Sequence, residues 1–176
     1  MPNLWSAERH QPLAESARDE AAARAGIERI VAGARGAFTA DGLWPLHPDD
    51  GPPEWGALTG LYFGAVGMVW GLDYLQRQGA AAEGESFAGS LGVICGRHER
   101  FIAAFQGMAA GYLLGRSAPL LLQWKQSRDP ALADDLAELI AGNTDSPARE
   151  LMWGSPGTML AALSLHEETG DRAGRR

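Results

Sequence analysis

The sequence predicts an all-α protein built from helical hairpins repeated along the chain. Two observations carry that expectation. Apolar residues recur at helical spacing in one segment after another, with no convincing strand pattern among them. In addition, LYFGAVGMVWGLDYL (Leu61–Leu75) aligns without a gap to LMWGSPGTMLAALSL (Leu151–Leu165), 90 residues further on. A weaker copy, YLLGRSAPLLLQW (Tyr112–Trp124), stands between them. Its Gly115 matches Gly64 and Gly154, and Ala118 replaces the second glycine. The spacings of 51 and 39 residues average 45, which suits a helical hairpin repeated in an array.

Each element has its own signal. Leu13 to Arg35 is alanine-rich, with Ala17, Ala21, Ala25, Ile27, Ile30, Val31 and Ala34 approximating one helical face, and Gly33 and Gly36 marking its end. Thr39 to Gly56 is irregular. Its Trp44-Pro45, His47-Pro48 and Pro52-Pro53 pairs push each preceding residue out of the helical region. Helix resumes from Ala65 to Gln78, with Gly79 as a stop. Ser86 to Phe105 sets Phe87, Leu91, Ile94, His98, Phe101, Ile102 and Phe105 on one stripe. Ser117 to Gln126 is a short apolar helix around Leu120, Leu121, Leu122 and Trp124. Asp129-Pro130 reads as an N-cap followed by proline in the first helical position. The helix it opens carries Leu132, Leu136, Leu139 and Ile140 and ends at Gly142-Asn143. Ser155-Pro156 opens the last helix, which runs to Thr169 and closes on Gly170.

The repeated motif reads apolar, bulky, aromatic, Gly, x, x, Gly, then an apolar helix. Its glycines let the backbone turn sharply and approach a neighbour where a Cβ would clash. Each helix then starts with exposed amide donors. Three such helix starts are expected side by side at one end of the array.

Composition sets the outer bounds. A chain of 176 residues with 45% hydrophobic and 21% charged residues suits one globular domain, taken as residues 1–170 with a polar tail at 171–176. The net charge of -7 leaves no basic stripe to neutralise phosphates, so nucleic acid is not an expected partner. A lone cysteine excludes an intrachain disulfide framework and a multi-cysteine zinc site within one chain. The opening MPNLWSAERHQPLAE lacks a basic n-region and an apolar run, so a cytoplasmic setting is the default expectation. Trp55 to Leu72 has no formal charge and carries GxxxG spacings. Five glycines and its length, short of the roughly 20 apolar residues a span needs, argue for a turn leading into a buried helix instead.

The Glu150–Leu163 and Leu61–Leu75 segments resemble the N-terminal repeats of the lanthionine synthetase C-like family. The Leu4–Leu13 and Trp44–Asp50 segments resemble its bacterial stand-alone branch. The resemblance spans nearly the whole chain. It implies an α/α toroid, with an inner ring of helices inside an outer one. It also implies kinship with enzymes that add a cysteine thiolate to a dehydrated serine or threonine, giving a thioether ring. In complete members zinc on two cysteines and a histidine presents the thiolate, which follows from the way zinc lowers a thiol pKa. A further histidine in a His-Gly turn handles protons. This chain departs from that pattern. Its three turns carry Phe63-Gly64, Leu114-Gly115 and Trp153-Gly154, with no Cys-Gly or His-Gly. A ring of six or seven such hairpins needs roughly 270–315 residues. The chain therefore reads as the first three hairpins of a toroid, a gene fragment, frameshift product or half of a split protein. No catalytic residue, metal ligand or cofactor is assigned to it. The expected partners are a peptide substrate or a companion chain supplying the missing hairpins. Met159, Leu160, Leu163 and Leu165 of the last helix are expected to leave an apolar edge open to a second copy.

Several residues carry two readings. Cys95 and His98, at i, i+3, are either metal ligands or a buried thiol and a core histidine. The second is preferred, because no third ligand is near in sequence. Trp44, His47, Asp49 and Asp50 either line a pocket mouth or form a proline-stiffened connector, and the connector is preferred. Asp73 either faces the lumen or sits at the surface one turn from a helix end; the surface is preferred. Phe63 and Trp153 either stack a substrate or fill the space beneath a glycine turn. Their recurrence favours filling. Asp134-Asp135, Glu83, Glu85 and Glu167-Glu168 read as solvated helix faces or ends. Two other functions compete with the cyclase-like one. The first is a carbohydrate-active α/α toroid, an epimerase or glycosidase, with Trp44, Asp73 and Trp153 at its lumen. The second is a non-catalytic peptide- or protein-binding module.

Overall fold

The computed structural model describes residues 17–84, 86–103 and 109–170. Among these the chain is all-α: six α-helices, two 3-10 turns (Pro53–Trp55 and Phe87–Ser90), and an isolated bridge between Thr39 and Leu43 in place of any strand. The helices are α1 (Glu20–Gly36), α2 (Ala65–Arg77), α3 (Leu91–Ile102), α4 (Ser117–Ser127), α5 (Pro130–Gly142) and α6 (Ser155–Thr169). None is long and apolar enough to cross a membrane. The uncharged Trp55–Leu72 window is broken by a turn before α2 begins.

Four helices, α2, α4, α5 and α6, keep the expected boundaries to within a residue, because their signals are local. Asp129 caps α5 by accepting from the Ala131 amide, and Gly170 closes α6 at φ 65°. Two helices differ. The start expected at Leu13 gives way to Glu20, since Asp19 accepts from the Ala22 amide at 2.8 Å and caps α1 there. Leu4 to Ser16 lie outside the described residues, as do Glu85, Phe105 and the 171–176 tail. The expected face of α1 also narrows. Val31 is buried with Ile27 and Ala34 packed beside it, while Ala21, Ala25 and Ile30 face solvent, Ile30 at 71% exposure. The single helix expected from Ser86 is split. Ser86 accepts from the Ala88 amide and opens a 3-10 turn, and α3 starts only at Leu91.

Helix α4 is the hub. It packs against α2 and α6, while α3 lies against α2 and α4, and α5 against α4 and α6. Seven of its eleven residues are buried, and the run Ser117–Leu122 is covered on every side, as expected of a helix start enclosed by neighbours. Leu122 joins the core around Val66, Val69 and Ile94; Leu120, Leu121 and Trp124 join the core around Leu136, Ala161 and Leu165. Glu168 ties α6 to α4 through Lys125 and Arg128. Burial works to raise its carboxyl pKa, but those two cations outweigh burial and hold it below the ordinary range.

The long loop is anchored at its start. Thr39 and Leu43 exchange two backbone hydrogen bonds, and Leu43 takes a left-handed φ of 54°. That reversal sends Leu43 and Trp44 inward. The Trp44 indole donates to the Ala34 carbonyl at 2.7 Å and packs against Phe38 and Phe87. On α6, Leu165 is buried, whereas Met159, Leu160 and Leu163 remain exposed.

Candidate functional site

The three glycine turns meet. In the first, the Ala65 amide donates to the Leu58 carbonyl seven residues back, at 3.0 Å. In the second, the Arg116 amide donates in the same way to Ala109 at 2.8 Å. A Cβ at Gly64 would lie 2.4 Å from the Leu58 carbonyl, and one at Gly154 would lie 2.1 Å from the Ala148 carbonyl, each six residues back. Gly67 and Gly157 repeat the pattern against Leu61 and Leu151. Only glycine tolerates such contacts. Adjacent turns also touch. The Tyr62 amide donates to the Leu113 carbonyl at 3.1 Å, and Gly111 packs against Met152 and Trp153, where a Cβ would lie 2.6 Å from the Met152 carbonyl.

His98 locks the first two turns together from behind. It is 1% exposed on α3. Its Nε2 lies 2.9 Å from the Gly115 carbonyl and its Nδ1 3.0 Å from the Thr59 hydroxyl. A carbonyl can only accept, so Nε2 carries the proton and Nδ1 accepts from Thr59. Burial lowers the histidine pKa and keeps the ring neutral, against a weaker opposing pull from the Gly115 hydrogen bond and from Glu99. One turn earlier, the buried Cys95 thiol points toward the Pro119 carbonyl at 3.8 Å. Burial, with the nearby Glu99 charge, pushes its pKa up to about 12. The Cys95–His98 pair is thus occupied in packing rather than presented as ligands, and no cluster of three metal-ligating side chains occurs among the described residues.

In front of the turns lies a cavity of about 340 Å³. Phe63, Leu114 and Trp153, which precede the glycine in the three turns, all contribute to its wall. The expectation that Phe63 and Trp153 fill the space beneath the glycines is corrected here: Phe63 is 51% exposed, and both line the cavity. The space under Gly64 and Gly154 is taken by backbone carbonyls, the place the rings were expected to fill. Asp50, Leu58 and Phe63 separate this cavity from a larger groove of about 710 Å³, which follows α2 past Tyr62 and Trp70 to Tyr112. Trp70 and Tyr112 continue into a third hollow between α2, α4 and α6 that reaches Lys125 and Ser164. Burial raises the Tyr112 phenol pKa, so it stays protonated at neutral pH.

Of the loop residues expected to form a connector, Trp44, His47 and Asp50 instead line the groove along α2, Asp50 lining the smaller cavity as well, and the other sequence candidates are dispersed. Trp44 is a core residue whose edge reaches the groove. His47 and Asp49 are exposed and face each other at 3.8 Å. Asp73 pairs with Arg77 one turn from the end of α2. Asp134, Asp135, Glu83 and Glu167 are exposed. Trp44, Asp73 and Trp153, the carbohydrate candidates, do not converge. The Thr59–His98–Gly115 clamp is invisible in the sequence, because its three parts lie 39 and 17 residues apart. The one available hint is a histidine on an otherwise apolar stripe.

Compared with family models, curated proteins and solved structures, the chain matches none.

Proposed function

We propose that this chain is an arc of helical hairpins of the lanthionine synthetase C-like kind. On this reading it is related to zinc-dependent thioether cyclases that act in peptide modification, and it holds a peptide along the groove in front of α2. One observation carries the reading. Positions 90 residues apart, Gly64 and Gly154 with Gly67 and Gly157, press on the carbonyl six residues back, and neighbouring turns touch through backbone. Such a recurrence suits an α/α toroid, where successive helix starts line one end of the ring. The groove supports a peptide occupant. Tyr62 and Trp70 stand exposed beside it, and large aromatic surface of this sort gains most from being covered.

The catalytic step is not assigned to these residues. Phe63, Leu114 and Trp153 stand in the turn positions, and none can ligate zinc. The test is titration of the purified chain with a dehydrated, cysteine-containing peptide, followed by tryptophan emission, mass spectrometry and metal analysis. The expected result is saturable binding without thioether formation and without stoichiometric zinc. Absence of binding would remove the peptide reading, and cyclisation with bound zinc would overturn the assignment of chemistry elsewhere. Saturable quenching by an oligosaccharide in place of the peptide would favour the carbohydrate-active toroid. The exposed, stacked Trp70–Tyr74 pair, with ring centroids 5.4 Å apart, is the feature such a ligand would use.

A further inference from the structure

We infer that the cavity in front of the turns binds a small organic cation, a quaternary or heavily alkylated ammonium compound. This inference goes beyond the family reading and survives its failure, because it uses only the cavity walls. Those walls hold four aromatic rings, Trp55, Phe63, Phe101 and Trp153, with Asp50 on the side shared with the groove along α2. Trp55, Phe63 and Phe101 are each at least 40% exposed, although they cluster around one hollow. Rings that served only as core would be covered. Trp55 and Phe63, each more than half exposed around a common space, mark a binding surface.

Charge and polarity narrow the ligand class. Asp50 makes no ion pair among the described residues, and no lysine or arginine lines the cavity. The floor cannot receive an anion either. The Thr59 hydroxyl proton and the His98 Nε2 proton are already given to His98 and to the Gly115 carbonyl. A neutral polar ligand would therefore find few free donors. Aromatic faces carry partial negative charge, so a cation whose body is apolar gains from the rings and from the carboxylate together. An alkylated ammonium loses less hydration than a bare one on entering such a site. The size also fits: about 340 Å³ lies at the lower end of the range for small-molecule pockets. The site is shaped in advance. Gly51 sits under the Trp55 ring, where a Cβ would lie 2.6 Å from the indole, so the ring is held against the loop that carries Asp50.

The experiment titrates the whole chain with choline and, in parallel, with its uncharged carbon isostere 3,3-dimethylbutanol. Tryptophan emission and saturation-transfer NMR are the readouts. Choline should bind about tenfold more tightly than the isostere, the scale of a partly desolvated cation–π contact. Asp50→Asn, an exposed substitution that leaves the fold intact by circular dichroism, should weaken choline several-fold and leave the isostere unchanged. Trp153→Leu should weaken choline further; if that variant unfolds, Trp55→Leu at the exposed wall replaces it. Equal affinity for choline and the isostere, binding of neither, or indifference to Asp50→Asn would each overturn the inference. A missing response to the dehydrated peptide would not, since that ligand is placed in the α2 groove.

Discussion

The first and third turns share a backbone and differ in what supports it. In both, glycines press against a carbonyl six residues earlier. In the first, the Tyr62 amide ahead of Gly64 donates to the Leu113 carbonyl of the neighbouring turn at 3.1 Å. In the third, the Glu150 carboxylate accepts from the Met152 and Trp153 amides at 2.7 and 2.8 Å. Glu150 occupies the position held by Gly60 and Gly111 in the first two turns. There the next turn packs close, with Leu113 against Gly60 and Met152 against Gly111. No turn packs over Glu150 among the described residues, and a side chain has room. Sterics thus fix the path of a turn, while its polar support varies with its neighbours.

Substitutions can break this comparison or sharpen it. The largest effect is expected at the shared feature. Gly64→Ala and Gly154→Ala should each cost about 3 kcal/mol, because backbone must shift to relieve a Cβ placed far inside van der Waals contact. Chemical denaturation should show similar losses for both. A loss at one position alone would mean that the turns are not equivalent.

The second effect belongs to the first turn only. His98→Leu keeps the volume but leaves the Gly115 carbonyl and the Thr59 hydroxyl unpaired, at a cost of about 2 kcal/mol. Its pH dependence follows from the lowered pKa. The folded protein binds this proton less readily than the unfolded chain does. The histidine's contribution is therefore complete above its ordinary value near 6.5 and is lost as the pH falls below it. Wild-type Tm should drop between pH 7 and pH 5, and the His98→Leu variant should lack that part of the drop.

The third effect is confined to the third turn. Glu150→Ala removes a side-chain acceptor from two exposed amides and should cost about 1 kcal/mol. Thermal unfolding at neutral pH would read it. The smallest effect has the opposite sign. Gly92 lies inside α3, and a Cβ there would meet nothing within 4 Å, so Gly92→Ala should stabilise by about 0.5–1 kcal/mol. Destabilisation there would show that α3 is packed more tightly than the turn ends.

Much of this is legible in the sequence. Helices α2, α4, α5 and α6, the Asp129 cap and the Gly170 stop all follow from interactions within a few residues of the chain, whereas the 3-10 turn that delays α3 to Leu91 does not show in the apolar stripe. The start of α1 is not legible either, because alanines favour helix without saying where it begins, and Asp19 decides that. The roles of Phe63 and Trp153 escape a sequence reading for a different reason. Recurrence at equivalent positions signals a common environment, and a shared cavity wall recurs as readily as a shared core.

The sequence by itself determined the all-α class, the order of helices and the glycines that shape each turn, since hydrogen bonding and steric exclusion along a chain act over short separations. Tertiary structure alone decided that Thr59, His98 and Gly115 meet, and that Asp50, Trp55, Phe63, Phe101 and Trp153 surround one cavity. Those residues are brought together by how α2, α3, α4 and α6 dock. Docking depends on the fit of whole surfaces, which no local pattern records.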